Sequence, residues 1–190
     1  MIRFVTTNIG KVRSLEAALE PYDLRVEHID EELTELQVYD VDAIAQAKAR
    51  EAFDRYGPGV LVQDSGFELA AWPQFPGAYA KFITETIGNP GILRLVDGLS
   101  RHCRWRTVWA YHDGSGIATY EKIEKGLIAV HEAGSLDENT LSSLWRIYIP
   151  IAEYNPKQKT LAQFDSRELA VHRARASNEE FTRWIVERAS

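Results

Sequence analysis

Two hydrophobic periods alternate along the chain: short unbroken apolar runs, and longer stretches in which apolar residues recur every three or four positions. The run at residues 2–6 predicts a strand. Val12, Leu15, Ala18 and Leu19 follow at helical spacing and predict a helix over 11–20. Residues 25–29 predict a second strand, and the stretch DEELTELQVYD after it is polar and irregular. From Asp42 to Tyr56, Ile44, Ala47, Ala52 and Phe53 alternate with charged residues, a helix that Gly57-Pro58 stops. GVLVQD, residues 59–64, is the continuous apolar run of a buried strand and ends at Asp64-Ser65-Gly66.

The second half changes rhythm. PQFPGAYAKFITETIG begins as a loop and becomes a helix. Another helix is expected after it, with Asn89 as N-cap and Pro90 at the first helical position. Residues 104–113 and 116–130 predict two strands joined near Asp113-Gly114-Ser115-Gly116. Residues 145–151 predict a further strand. The C-terminus is helical, and Asp165-x-x-Glu168 and Ser177-x-x-Glu180 both have the form of capping boxes, so it holds two helices or one interrupted helix. Strands alternating with helices imply an α/β sheet, and the later hairpin implies a mixed sheet or a second lobe.

Composition narrows this picture. A length of 190 residues suits one domain. With 45% apolar and 26% charged residues the chain has the make-up of a globular protein with a sizeable core. A formal charge of −6 argues against a general nucleic-acid surface, though not against a local basic pocket for a small anion. The one cysteine, Cys103, rules out an intrachain disulfide framework and fits a reducing cytoplasm. No secretory signal is expected at the N-terminus, and no apolar stretch approaches the ~20 residues that span a bilayer.

Four stretches are candidates for chemistry. TTNIGK joins the first strand to the first helix. It is not a P-loop, because Val5 stands where that motif needs glycine and Val12 where it needs Ser or Thr. Backbone N–H groups at a helix start beside Lys11, with Thr6 and Asn8 as neutral donors, favour phosphate; an ordinary polar turn has the same composition. In LVQDSG, Asp64 is expected at the carboxyl end of a strand, where α/β sheets bind ligands. It either holds Mg²⁺ and orients a water or caps a turn. Glu35 lies in a cluster of acids and Lys48 on an Ala-rich helix, where a solvated role is the simpler reading of each. RELAVHRARA places Arg167, His172, Arg173 and Arg175 on a C-terminal helix, as a basic surface or as a clamp for phosphate or base.

Their order is more specific than any one of them. Thr6, Asn8 and Lys11, then Glu35, Lys48, Asp64-Ser65-Gly66, Pro76-Gly77-x-Tyr79 and finally His172-Arg173 resemble the inosine triphosphate pyrophosphatase family across nearly the whole chain. The resemblance implies one domain over residues 1–190. It implies an elongated mixed central β-sheet flanked by helices, in two lobes with the active-site cleft between them. It implies Mg²⁺-dependent cleavage of non-canonical purine nucleoside triphosphates to the monophosphate and pyrophosphate. Thr6, Asn8, Lys11 and Lys48 would bind the phosphates, while Glu35 and Asp64 would hold Mg²⁺. Asp64 would also activate water. Ser65 would donate to phosphate, Gly66 and Tyr79 belong to the motifs beside the substrate, and Arg167, His172 and Arg173 would close over the nucleotide. A homodimer in the cytoplasm is implied as well, with Trp72, Phe75, Trp105 and Trp109 available either for an interface or for the core.

Three positions depart from the pattern. Gln63 replaces an acid, so the carboxylate count at the metal is lower. Val171 replaces a serine. The family's glycine-rich base-pocket segment is replaced by LSSLWRIYIP, residues 141–150, in which Trp145 either stacks on a base or fills the core, and Arg146 could hydrogen-bond an exocyclic oxygen. These departures keep open a Maf-like pyrophosphatase acting on pyrimidine or modified nucleotides, and a nucleotide-binding protein with reduced turnover.

Overall fold

The computed structural model describes residues 1–22, 24–136, 142–176 and 179–189, the side chains of 173–176 excepted. The elements run β1 (Ile2–Val5), α1 (Ile9–Leu19), β2 (Val26–Ile29), α2 (Val41–Tyr56), β3 (Val60–Leu69), β4 (Trp72–Gly77), α3 (Ala80–Thr86), α4 (Gly88–Leu95), β5 (His102–His112), β6 (Ile117–Ile128), β7 (Tyr148–Pro150), α5 (Ser166–Ala176) and α6 (Glu179–Ala189). One mixed sheet is ordered β2-β1-β3-β5-β6-β7, with β4 paired to β3. β1 is parallel to both β2 and β3, whereas β3–β4 and β6–β7 are antiparallel.

The chain forms two compact units: Met1–Asp64, Thr107–Glu121 and Arg173–Ser190 in the first, Ser65–Arg106 and Lys122–His172 in the second. In the first, Val12, Leu15 and Leu19 of α1 face Ile2 and Phe4 of β1, Leu61 of β3, and Phe181 and Ile185 of α6. Ile2 and Phe4 bury one face of β1; on the other Val5 is buried and Arg3 half-buried. α2 starts where Asp40 accepts the Asp42 N–H at 3.0 Å. It stops at Gly57, whose N–H bonds Phe53 O at 2.8 Å with φ of 77°, a left-handed conformation that glycine adopts without a Cβ penalty. The second unit closes over its own core, which includes Phe67, Leu69, Ile92, Val96, Leu144, Tyr148 and Phe164.

Four expectations shift. The strand predicted to end at Asp64-Ser65-Gly66 continues to Leu69, because β3 gains an antiparallel partner there: Phe67 lies opposite Gly77 and Glu68 opposite Pro76. That partner, β4, reads as a loop in sequence; its prolines, Pro73 and Pro76, are tolerated on a strand that pairs with β3 alone among the described residues. Asn89 is not an N-cap but the second residue of α4. Its amide donates to Glu132 Oε1 at 2.7 Å and to Ser143 O at 2.8 Å, a tertiary contact that outcompetes the local one. The strand at 145–151 shrinks to β7, since Ser143–Arg146 form a 3-10 turn capped by Ser142 Oγ on the Leu144 N–H. The C-terminal region is two helices. Asp165 and Glu168 form the expected reciprocal cap, with Asp165 N–H donating to Glu168 Oε2 at 2.9 Å and Glu168 N–H to Asp165 Oδ1 at 2.8 Å. The box at Ser177 lies outside the described residues.

Candidate active site

The charged candidates of the first unit converge. The turn between β1 and α1 is organised by its own side chains: Thr6 Oγ1 accepts the Asn8 N–H at 3.1 Å, and Asn8 Oδ1 accepts the N–H groups of Gly10 and Lys11 at 3.0 and 3.2 Å. Asn8 is thus the N-cap of α1. These bonds use the acceptor sides of both groups, and what they can still offer a ligand is donation, by the Thr6 hydroxyl and the Asn8 amide. No acid lies in the first turn of α1, so the positive end of its dipole carries no internal counter-charge. His28 of β2 supports the turn from behind, its Nε2 lying 2.8 Å from Thr6 O.

Lys11 reaches from α1 to β3, where its ammonium donates to Gln63 O at 3.2 Å. Lys48 of α2 donates to Asp64 Oδ1 at 2.9 Å and lies 3.6 Å from Glu35 Oε2. Asp64 stands inside β3 rather than at its end. Its neighbour β1 pairs with β3 only as far as Phe4 opposite Leu61, so Asp64 lies past the carboxyl end of the parallel ladder, the place where such sheets bind ligands. Burial pushes the Asp64 carboxyl, 9% exposed, above the usual carboxylate range, with the charge and hydrogen bond of Lys48 opposing. Burial also pulls the Lys11 ammonium below the usual lysine range, opposed by Asp64 and reinforced by Lys48. Two cations and two anions therefore share one site, and desolvation penalises the charges of Asp64 and Lys11.

The donor set fits a hard divalent cation. Asp64 and Glu35 converge on a single ammonium, which keeps their oxygens close. Among the described residues no group of three or more His, Cys, Asp or Glu lies together. Two carboxylates without a third would leave most coordination positions of a divalent cation to other ligands, rather than forming an all-protein cage.

The other candidates, Arg173 and Trp109 apart, lie in the second unit. Ser65 and Gly66 follow Asp64 on β3, half-buried and buried respectively. Tyr79 caps the start of α3, its N–H on Pro76 O at 3.1 Å. Arg167 is exposed in the first turn of α5. His172 is buried, with Nδ1 2.9 Å from the Tyr154 hydroxyl and its ring edge-on to Phe164. Trp145, 7% exposed, is built into the core of this unit, the second of the two roles its sequence allowed. Arg146 is tied to Glu132 at 3.3 Å. The side chain of Arg173 lies outside the described residues. Of the four aromatics noted for an interface, Trp105, Trp109 and Phe75 pack against the two cores, and Trp72 is exposed. The supports at His28 and Tyr154 have no signature in sequence, because each touches a partner 22 or 18 residues away.

A mixed α/β sheet thus carries a self-capped strand–helix turn beside a paired lysine–carboxylate site. The Ham1 family's sequence profile matches residues 2–179, and the chain belongs to that family. It is 31% identical over 178 residues to the dITP/XTP pyrophosphatase of Saccharolobus solfataricus, covering 92% of this chain and 88% of that one. It is 35% identical over 135 residues to the protein of the same name from Methanopyrus kandleri, covering 70% and 72%. The fold matches that of a HAM1 protein from Coxiella burnetii with a TM-score of 0.77 at 20% identity, over 98% of this chain and 100% of that one.

Proposed function

We infer that this protein hydrolyses non-canonical purine nucleoside triphosphates, of the dITP and XTP type, to the monophosphate and pyrophosphate. The observation that carries the reading is the convergence of Lys11, Lys48, Glu35 and Asp64 beside the helix-capping turn, in a member of the Ham1 family. The α1 N-terminus, Thr6, Asn8 and Lys11 grip the triphosphate tail, with Lys48 adding charge. Asp64 takes the proton of the attacking water as that water bonds the α-phosphorus and the bond to the bridging oxygen breaks, releasing pyrophosphate. Asp64 and Glu35 would hold Mg²⁺, which supplies positive charge to the phosphates when bound. Ser65, Gly66, Tyr79, Arg167, His172 and Arg173 are candidate nucleotide contacts on the family resemblance alone. We place the enzyme in the cytoplasm as a homodimer; no helix among the described residues is long and apolar enough to cross a membrane.

A pyrophosphate-release assay over ITP, XTP, dITP, ATP and GTP, with Mg²⁺ and with a chelator, tests this. Turnover of the first three, little of ATP or GTP, and loss on chelation are expected. Nucleotide binding with no turnover would instead support the reduced-turnover reading that Gln63 raises, and preference for a pyrimidine nucleotide would support the Maf-like one.

A further inference from the structure

Residues 30–40, which carry Glu35, form no helix or strand between β2 and α2. Their position comes from α2. Glu51 accepts the Thr34 N–H on Oε2 at 2.9 Å and the Thr34 hydroxyl on Oε1 at 3.2 Å. Arg55, one turn further on, pairs with both Glu51 and Glu31. Lys48, almost one turn before Glu51, holds Glu35. Positions 48, 51 and 55 fall on one stripe of the helix. Each takes a different residue of the same loop, and the order runs opposite to the helix: Lys48 to Glu35, Glu51 to Thr34, Arg55 to Glu31.

Such contacts lie near the surface, where ion pairs add little to global stability. Their consequence is local. Thr34 is bound to one carboxylate through both its backbone and its hydroxyl, which fixes the chain immediately before Glu35. We propose that Glu51 is a positioning residue for Glu35: by strapping Thr34 to α2 it sets where the Glu35 carboxylate stands and hence how tightly the site holds a divalent cation. This rests on the reading of Glu35 as a cation ligand. Groups that orient metal ligands from outside are commonly worth 10- to 100-fold in affinity, and a strap acting one residue away belongs at the lower end.

The test is Mn²⁺ binding without nucleotide, followed by electron paramagnetic resonance of the free ion, on the wild type, Glu51→Ala, Glu51→Gln, Glu35→Gln and the double variant Glu35→Gln/Glu51→Ala. Glu51→Ala is expected to weaken Mn²⁺ binding roughly tenfold while lowering the melting temperature by no more than about 2–4 °C. Glu51→Gln keeps an acceptor for the Thr34 N–H and should recover most of the affinity. Glu35→Gln should weaken binding at least as much as Glu51→Ala, and adding Glu51→Ala to it should change nothing further, because the two act through one carboxylate. Full Mn²⁺ affinity in Glu51→Ala, or an undiminished effect of that substitution in the Glu35→Gln background, overturns the strap while leaving Glu35 as a ligand. Unchanged affinity in Glu35→Gln removes the ligand reading itself, and the strap's role falls with it.

Discussion

Replacing Lys11 by methionine isolates the anion grip from the chemistry. The ammonium sits 3.2 Å from Gln63 O, in a site where two lysines and two carboxylates already balance. Methionine keeps the bulk of the side chain and removes its charge and donors. A hydrogen bond between an ammonium and a phosphate oxygen contributes about 1.5–3 kcal/mol, so affinity for the triphosphate tail should fall roughly 10- to 150-fold at about 1.4 kcal/mol per tenfold. Calorimetric titration with inorganic pyrophosphate reads this directly, and KM for ITP should rise alongside. The pH dependence carries a second signature. Only the protonated ammonium grips phosphate, and burial lowers its pKa. As pH rises through that lowered pKa, below the range of an ordinary lysine, the wild type loses its advantage and its affinity approaches that of the variant. Equal pyrophosphate affinity in the two proteins across the pH range would refute the reasoning and return Lys11 to a structural role on Gln63.

Two further outcomes follow from the same geometry. Asp64→Asn should lower kcat by about 10²–10⁴-fold, the usual contribution of a positioned base, with the fold intact by circular dichroism. Because burial raises the Asp64 pKa, the wild-type rate should climb with pH through a range above that of an ordinary carboxylate, a limb the Asn variant lacks. Gly126→Ala tests the packing of the second unit: a Cβ there would lie 2.2 Å from Tyr148 Cε2 and 2.9 Å from Ile149 O. It should cost about 1–3 kcal/mol of stability in urea denaturation, and a neutral result would contradict the close β6–β7 packing.

How much was legible depended on whether the cause was local. β1, α1, α2 and the start of β3 could be read because burial imposes a period on contiguous residues, and the caps at Gly57 and Asp165 because a cap is a short-range bond; the N-cap role of Asn8 emerged only from the structure. The far half of β3 and all of β4 were not legible. Ser65-Gly66 and the prolines of β4 are turn signals, overridden by the pairing of Phe67 with Gly77. Asn89 carried a cap signal that its bonds to Glu132 and Ser143, 43 and 54 residues away, redirected. At the site, the order of motifs pointed to Lys11, Glu35, Lys48 and Asp64 together, yet no spacing shows that one lysine spans both carboxylates. Nor does any show that Glu51 reaches Thr34, since those contacts exist only once α2 lies beside the loop.

In the proposed reaction, bond cleavage falls between the α- and β-phosphates of a non-canonical purine nucleotide. Phosphorus NMR of ITP or XTP turned over with Mg²⁺ tests it most directly. Inosine or xanthosine monophosphate and pyrophosphate are expected in equal amounts, with neither produced by Asp64→Asn on the same timescale. Release of orthophosphate with a nucleoside diphosphate, or pyrophosphate formation undiminished in Asp64→Asn, would contradict it.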